Sequence, residues 1–241
     1  ILVKPDGSFT VGKSISRRED EPRSYRESVT DAATNLGLTA EEVHARCGAD
    51  IYCGTGMLNT VLTGNGRKVG LMVTRGFEDI TVMEGGLSYL GQSQNETLHQ
   101  QLHRHTRPLV DPKNVFGISE RLGGGCYQGN IHLPPGAALI PVNEKQVVKA
   151  VNAMVDRGCE VIGILFLFSF VDPRHEHQAK AIAERVLRER GVALPVVCSA
   201  DVAPVSKENN RLKSLLFQCF AAELVRDSLV SVETQAKAYG Y

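Results

Sequence analysis

Glycine and hydroxyl groups meet at residues 54–56. The apolar run Ile51-Tyr52-Cys53 stops at Gly54-Thr55-Gly56, and Met57, Leu58, Val61 and Leu62 then recur at helical spacing as far as Gly64-Asn65-Gly66. The pattern predicts a strand, a tight turn and a helix N-terminus. Free backbone N–H groups and the positive end of a helix dipole meet there, which suits an anion or a polarised carbonyl. Thr55 is placed to cap the helix and to offer a hydroxyl to a ligand. The same turn serves packing alone in many α/β proteins.

Other groups able to do chemistry are spread along the chain. Arg75 and Asp79 follow an apolar strand, the usual place for ligand groups in open α/β sheets; four apart, they equally suit an i,i+4 ion pair. His99 and His103 would share one face of a helix, a geometry that suits a metal, and His105 with Asp111 could complete the set. Against this stands the lack of a Glu after His99. His103-Arg104-His105 reads alternatively as a ligand- or carboxyl-binding segment, or as a solvated loop or subunit contact. Glu208 and Arg211 open the last helix, where they can line a cleft, while Asn209 or Asn210 can be a plain N-cap. His175 and Glu176 fall in the first turn of a helix, and Glu176 there complements the dipole. Gly123-Gly124-Gly125 has no Lys-Ser/Thr after it, so it reads as a hinge and not as a phosphate loop. No Ser or Cys sits in a recognised nucleophile setting.

The elements that must position these groups follow from periodicity. Residues 1–4 and 9–14 flank Pro5-Asp6-Gly7-Ser8 and predict a β-hairpin. A helix is expected from Asp20 to about Gly37, and a second from Thr39, which forms a capping box with Glu42. Strands are expected at 68–74, 115–122, 161–168 and 195–198. Helices are expected at 144–157, 172–190 and 209–238. Helix–strand–helix–strand order implies an α/β fold with a parallel sheet and crossover helices. Residues 84–112 are polar, irregular and rich in histidine.

Composition narrows the classes. Lys+Arg and Asp+Glu both number 27, which gives no electrostatic pull toward nucleic acid or an anionic membrane. The longest apolar stretch, 161–171, is too short to span a bilayer. The cysteines Cys47, Cys53, Cys126, Cys159, Cys198 and Cys219 form no Cys-x-x-Cys pair, so a reducing cytoplasm is expected, with neither a disulfide framework nor a cysteine zinc site. Ile1-Leu2-Val3 has no initiator Met and no charged region before it, so a signal peptide is not expected there and a processed or truncated polypeptide is.

Taken in order, these pieces resemble the N-terminal domain of the hydantoinase/oxoprolinase family. The matching features are Gly54-Thr55 followed by Asn59, the strand ending Thr74-Arg75-Gly76-Phe77-Glu78-Asp79, and Glu120-Arg121 after a strand. The resemblance continues through Ser169-Phe170-Val171-Asp172-Pro173-Arg174-His175-Glu176 and Ser199-Ala200-Asp201-Val202-Ala203-Pro204, then Glu208 and Arg211. Tyr89-Leu90-Gly91, Leu98-His99 and His103-Arg104-His105 before Pro108-Leu109-Val110 are similar to the branch of ATP-dependent ketone carboxylases, the acetone and acetophenone carboxylases.

That resemblance implies a domain of the ATP-binding subunit of a cytoplasmic hetero-oligomer. The assembly would activate a ketone, as its enol, and bicarbonate by phosphoryl transfer from ATP with Mg, with a divalent metal possible elsewhere in the complex. It implies the N-terminal part of an actin-like or sugar-kinase-like ATPase fold. The acidic glycine-rich phosphate loop would precede Ile1 and the adenosine-binding half would follow the last helix, so the isolated chain is expected to be inactive. The substrate- or phosphate-binding candidates are Gly54, Thr55, Gly56, Asn59, Arg75, Asp79, His103, Arg104, His105, Glu208 and Arg211. The expected segments are 1–140, holding the Gly-Thr turn and the histidine-rich stretch, 141–205 as a helix–strand–helix–strand subdomain, and 206–241 as the long C-terminal helix. Two rival readings are an ATP-dependent hydantoinase or 5-oxoprolinase that opens a cyclic amide, and a non-catalytic module that docks other subunits.

Overall fold

The computed structural model describes residues 1–17, 19–83, 93–99, 107–123, 127–128, 131–132 and 134–240. In chain order the elements are β1 (Leu2–Val3), β2 (Phe9–Thr10), α1 (Glu21–Thr34), α2 (Ala40–Arg46), α3 (Gly56–Thr63), β3 (Val69–Thr74) and α4 (Gln94–Leu98). There follow β4 (Val115–Ile118), β5 (Arg121–Leu122), β6 (Tyr127–Gln128), β7 (Ile131–His132), β8 (Ala138–Ile140), α5 (Glu144–Asp156) and β9 (Val161–Leu165). The last elements are α6 (Arg174–Glu189), β10 (Val196–Cys198), α7 (Ser199–Val202), α8 (Glu208–Phe217) and α9 (Glu223–Ala238).

The chain divides into two compact units, Ile1–Asn59 with Glu223–Tyr241, and Thr60–Ala222. The boundaries expected near 140 and 205 both fall inside the second unit. A parallel sheet gathers its strands from distant parts of the chain, so compactness does not follow sequence order.

In the first unit β1 and β2 form the expected antiparallel hairpin, Leu2 opposite Thr10 and Val3 opposite Phe9. Asp20 caps α1 by accepting from the Arg23 amide at 3.1 Å. The Thr39–Glu42 capping box forms as expected: the Glu42 amide donates to Thr39 Oγ1 at 3.1 Å and the Thr39 amide donates to Glu42 Oε2 at 2.9 Å. Tyr25, Val232 and Ala236 are buried together, bringing α1 against α9.

The second unit holds a four-stranded parallel sheet in the order β10-β9-β3-β4. Strict alternation divides its side chains between two cores. Met72, Ile162 and Ile164 face one side with Val147, Val151, Met154, Ala179, Ala183 and Val186 of α5 and α6. Leu71, Val73, Val161 and Leu165 face the other with Leu212, Leu215 and Leu216 of α8. Every residue of β3 and β9 is buried, as expected of a sheet covered on both faces. Gly70 admits Met154: a Cβ there would lie 2.6 Å from the Met154 sulfur.

Three expectations are corrected. Ile51-Tyr52-Cys53 is exposed and unpaired chain, not a strand, because it meets no partner strand to receive its hydrogen bonds. The expected strand at 115–122 breaks into β4 and β5, with β5 turning away to pair antiparallel with β8. The long last helix is interrupted at Gln218–Ala222 by a π turn, which frees the Phe220 carbonyl to accept from the Arg67 amide at 3.0 Å.

Candidate functional site

The carboxyl ends of the four parallel strands converge on a buried polar network. Thr74 is the last residue of β3, Glu120 follows β4, Phe166 to Ser169 follow β9, and Ser199 follows β10. The heads of α6 and α8 supply His175, Glu176, Glu208 and Arg211. Open α/β sheets place their ligand groups at such strand ends.

Glu176 is the centre of one half. It takes part in no cap of its own helix. Its Oε1 accepts from the Phe166 amide at 2.8 Å and from the Ser199 hydroxyl at 2.7 Å, and its Oε2 accepts from the Ala200 amide at 3.0 Å. First-turn position favours the anion here, but three donors from other elements fix its direction. Arg211 completes this half: it donates to the Phe166 carbonyl at 2.6 Å, to Ser199 Oγ at 3.2 Å and to the Val205 carbonyl at 3.3 Å. Its guanidinium carbon stands 5.5 Å from the Phe170 ring centroid. The peptide groups of Phe166 are thus gripped by a carboxylate on one side and a guanidinium on the other. Burial presses Arg211 below its ordinary pKa, opposed by the charges of Glu208 and Glu176.

Glu120 is the centre of the other half. The Thr74 hydroxyl donates to Glu120 Oε1 and itself accepts from the Leu167 amide at 2.9 Å. His175 Nδ1 faces Glu120 Oε2 at 2.8 Å. Burial drives the Glu120 carboxyl above its ordinary pKa, opposed by hydrogen bonds from Thr74 and His175. Beside it, Arg121 Nη1 is buried without a hydrogen-bond partner among the described residues, and the guanidinium carbon lies 6.0 Å from the Phe77 ring centroid.

The loop between these halves is strained. Phe168 has φ +61°, a left-handed conformation that a bulky residue adopts only when its surroundings over-determine it. They do: its amide donates to Glu208 Oε1 at 3.3 Å, the Leu167 amide is held by Thr74, and the Ser169 hydroxyl donates to the Phe166 carbonyl at 3.0 Å.

The expected site residues fall in several places. Glu208 and Arg211 come together in the network, 3.6 Å apart. Arg75 and Asp79 are exposed after β3 and make no ion pair with each other: Gly76, at φ +92°, breaks the helical spacing that the pair would need. Gly54, Thr55, Gly56 and Asn59 belong to the first unit at the start of α3, where Thr55 Oγ1 accepts from Asn59 Nδ2 at 3.3 Å. His99 ends α4 as its C-cap, with Nδ1 2.9 Å from the Asn95 carbonyl, and the shared helix face expected for His99 and His103 falls on residues outside the described ones. His103, Arg104 and His105 lie outside the described residues, as do Gly124 and Gly125.

Thr74, Glu120, Ser169 and Ser199 were not singled out as site residues by local spacing. Their shared signal is a polar side chain within four residues of the end of an apolar strand, four times over.

Among the described residues no helix is long and apolar enough to cross a membrane. Residues 1–187 match the family model described as the hydantoinase/oxoprolinase N-terminal region. The acetone carboxylase beta subunit of Xanthobacter autotrophicus is 31% identical over 240 residues, covering 99% of this chain and 32% of that protein. The acetophenone carboxylase gamma subunit of Aromatoleum aromaticum is 24% identical over 238 residues, covering 98% of this chain and 31% of that protein. A nucleotide-free structure of acetone carboxylase superposes with TM-score 0.89 at 31% identity over 99% of this chain and 32% of that one. ATP-dependent caprolactamase from Pseudomonas jessenii shares the fold, with TM-score 0.78 at 22% identity over 100% of this chain and 32% of that one. The chain therefore spans about a third of the length of these relatives, and it belongs to the hydantoinase/oxoprolinase N-terminal region family.

Proposed function

We propose that this chain serves as a domain of the ATP-using subunit of an ATP-dependent ketone carboxylase of the acetone or acetophenone class. The supporting observation is the 31% identity along 99% of the chain to an acetone carboxylase beta subunit. In this reading the complete protein works in a hetero-oligomer with companion subunits and joins a ketone to bicarbonate. ATP with Mg would supply the phosphoryl groups that activate the two reactants.

The Gly54-Thr55-Gly56 turn does not by itself fit a triphosphate. No lysine or arginine lies between Arg46 and Arg67 in the sequence, so the segment carrying the Gly54-Thr55-Gly56 turn supplies no cation of its own, and a Cβ on Gly54 would meet nothing within 4 Å. The nucleotide is then held mainly by other parts of the complete protein. What remains for the turn is a single anionic or carbonyl oxygen, met by backbone N–H groups with Thr55 and Asn59 beside them. His103, Arg104 and His105 are the candidates for the ketone or carboxyl group. The strand-end network acts by positioning: Glu176 and Arg211 hold the 166–169 loop, Glu208 holds Phe168, and Arg75 and Asp79 lie exposed just beyond Thr74.

A second reading, ATP-dependent opening of a cyclic amide, is supported by the caprolactamase alpha subunit of Pseudomonas jessenii, 24% identical over 229 residues. The two separate by the bicarbonate dependence of ATP turnover in the complete protein with its companion subunits. The carboxylase requires ketone and bicarbonate together; turnover with a lactam or hydantoin that ignores bicarbonate overturns it. The same assay tests the rival reading of a docking module. Thr55→Ala and His105→Ala would leave ketone-dependent ATP hydrolysis unchanged in a folded complex if the chain only docked its neighbours.

A further inference from the structure

Outside the strand-end network, three side chains of metal-ligating type converge. His177 lies in the first turn of α6, Cys198 ends β10, and Asp201 is in α7. One ligand atom from each, His177 Nε2, Cys198 Sγ and an Asp201 carboxylate oxygen, falls within 4.8 Å of the other two. His177 Nε2 and Asp201 Oδ1 are already 2.8 Å apart. Among the described residues this is the single such group of three.

We propose that His177, Cys198 and Asp201 form a binding site for a zinc-class divalent ion. Imidazole nitrogen, thiolate sulfur and carboxylate oxygen are the three zinc donors of proteins, at about 2.0–2.3 Å from the metal. Donors around one such ion lie about 3–4 Å from each other, so only a small contraction about the metal is needed. The soft sulfur favours zinc or cobalt over magnesium or calcium, which take oxygen ligands.

Burial at its strand end and the charges of Glu176 and Asp201 hold the Cys198 thiol above its ordinary pKa. A coordinated cation reverses that balance: the thiol proton leaves to solvent as the sulfur–metal bond forms. Thiolate and carboxylate then neutralise the dication, with the imidazole neutral.

The side chains of His177 and Asp201 are 49% and 46% exposed, so an ion has an entry path and the fourth position opens to water. The two neighbours in sequence, Glu176 and Ser199, lie in the buried network. A metal here would tie the head of α6 to the end of β10 directly outside Glu176. This site is independent of the carboxylase reading and holds for either enzyme class.

The test is titration of the chelator-stripped 241-residue chain with Co(II), which reports a cysteine ligand through a thiolate-to-metal absorption band in the near ultraviolet. The expected result is a saturable band that Zn(II) removes by displacement. Cys198→Ser should abolish it. His177→Ala and Asp201→Asn should weaken binding at least ~10-fold. Cys198 is buried and its replacement can unfold the chain, so the two half-exposed variants carry the test in parallel, each checked by circular dichroism. Glu184→Gln, nearby on α6, should leave the titration unchanged. Absence of the band in the wild-type chain overturns the site. So does an affinity left unchanged by His177→Ala, which would place the cobalt on an exposed cysteine such as Cys53.

Discussion

His175 Nδ1 lies 2.8 Å from Glu120 Oε2, and the side chains are only 4% and 0% exposed. The partners are 55 residues apart in sequence and meet because one follows β4 and the other opens α6. Desolvation outweighs the hydrogen bonds from Thr74 and His175, so the folded Glu120 carboxyl titrates above its unfolded value. The native state then holds the proton longer than the unfolded chain. That contribution to stability is fully present below the ordinary glutamate pKa and is lost as pH rises through the elevated folded value. Each unit of elevation is about 1.4 kcal/mol. Urea unfolding of wild type and Glu120→Gln should therefore show wild type faring relatively better at about pH 4 than at about pH 7. A stability difference that is flat, or that grows with pH, contradicts the assignment.

Glu208 Oε1 accepts from the Phe168 amide at 3.3 Å, and Phe168 sits at φ +61°. A left-handed phenylalanine costs about 1–2 kcal/mol unless it is held. Glu208→Ala removes the acceptor, whereas Glu208→Gln keeps one. Amide hydrogen exchange at Phe168 should speed up about tenfold in the alanine variant and by much less in the glutamine variant. Equal rates in both variants would mean that the loop is held by Thr74 and Ser169 alone.

These contacts also mark where local sequence stops being informative. The apolar run of β3, with Val69, Leu71 and Val73, follows from burial on both faces of the sheet, and the 3.6-residue repeats of α5 and α6 follow from burial of one helix face, so the parallel sheet and its covering helices were readable. So was the Thr39 capping box, whose partners are three residues apart. Glu176 was legible only as a first-turn anion, because its donors Phe166, Ser199 and Ala200 come from two other strands' ends. Glu120 and Thr74 showed only as polar residues near strand ends, because their contact spans 46 residues of sequence. Ile51-Tyr52-Cys53 failed for the converse reason: three apolar residues look like a strand, yet pairing depends on a neighbour that the run itself does not specify.

Gly66 rests against the π turn. A Cβ there would lie 2.3 Å from the Phe220 ring and 2.5 Å from the Phe220 carbonyl oxygen, the acceptor of the Arg67 amide. The ring can rotate, but the carbonyl belongs to the helix backbone and cannot yield without disturbing the i→i+5 turn. Gly66→Ala should cost about 1–3 kcal/mol in thermal or urea unfolding. Gly64→Ala, where a Cβ meets nothing but φ is +67°, should cost about 1 kcal/mol from backbone strain alone. A smaller loss at Gly66 than at Gly64 would mean that the π turn gives way easily.

Arg211 is fully buried and spends its donors on the Phe166 carbonyl, the Val205 carbonyl and Ser199 Oγ. These acceptors diverge, which a planar fork can satisfy and a single ammonium cannot. Arg211→Lys keeps the charge beside Glu208 and Glu176 but leaves at least one buried acceptor unmet. Arg211→Met removes the charge near Glu176 and leaves the Phe166 and Val205 carbonyls without their guanidinium donor. Breaking one side of such a buried set costs about 3–5 kcal/mol, and an unmet acceptor about 1–3 kcal/mol. Equilibrium unfolding should therefore rank wild type above Arg211→Lys and Arg211→Lys above Arg211→Met. If methionine proved as stable as lysine, the guanidinium would matter for its shape against Phe170 and not for its hydrogen bonds, and the 166–169 loop would have to be held by Glu176 and Thr74 without it.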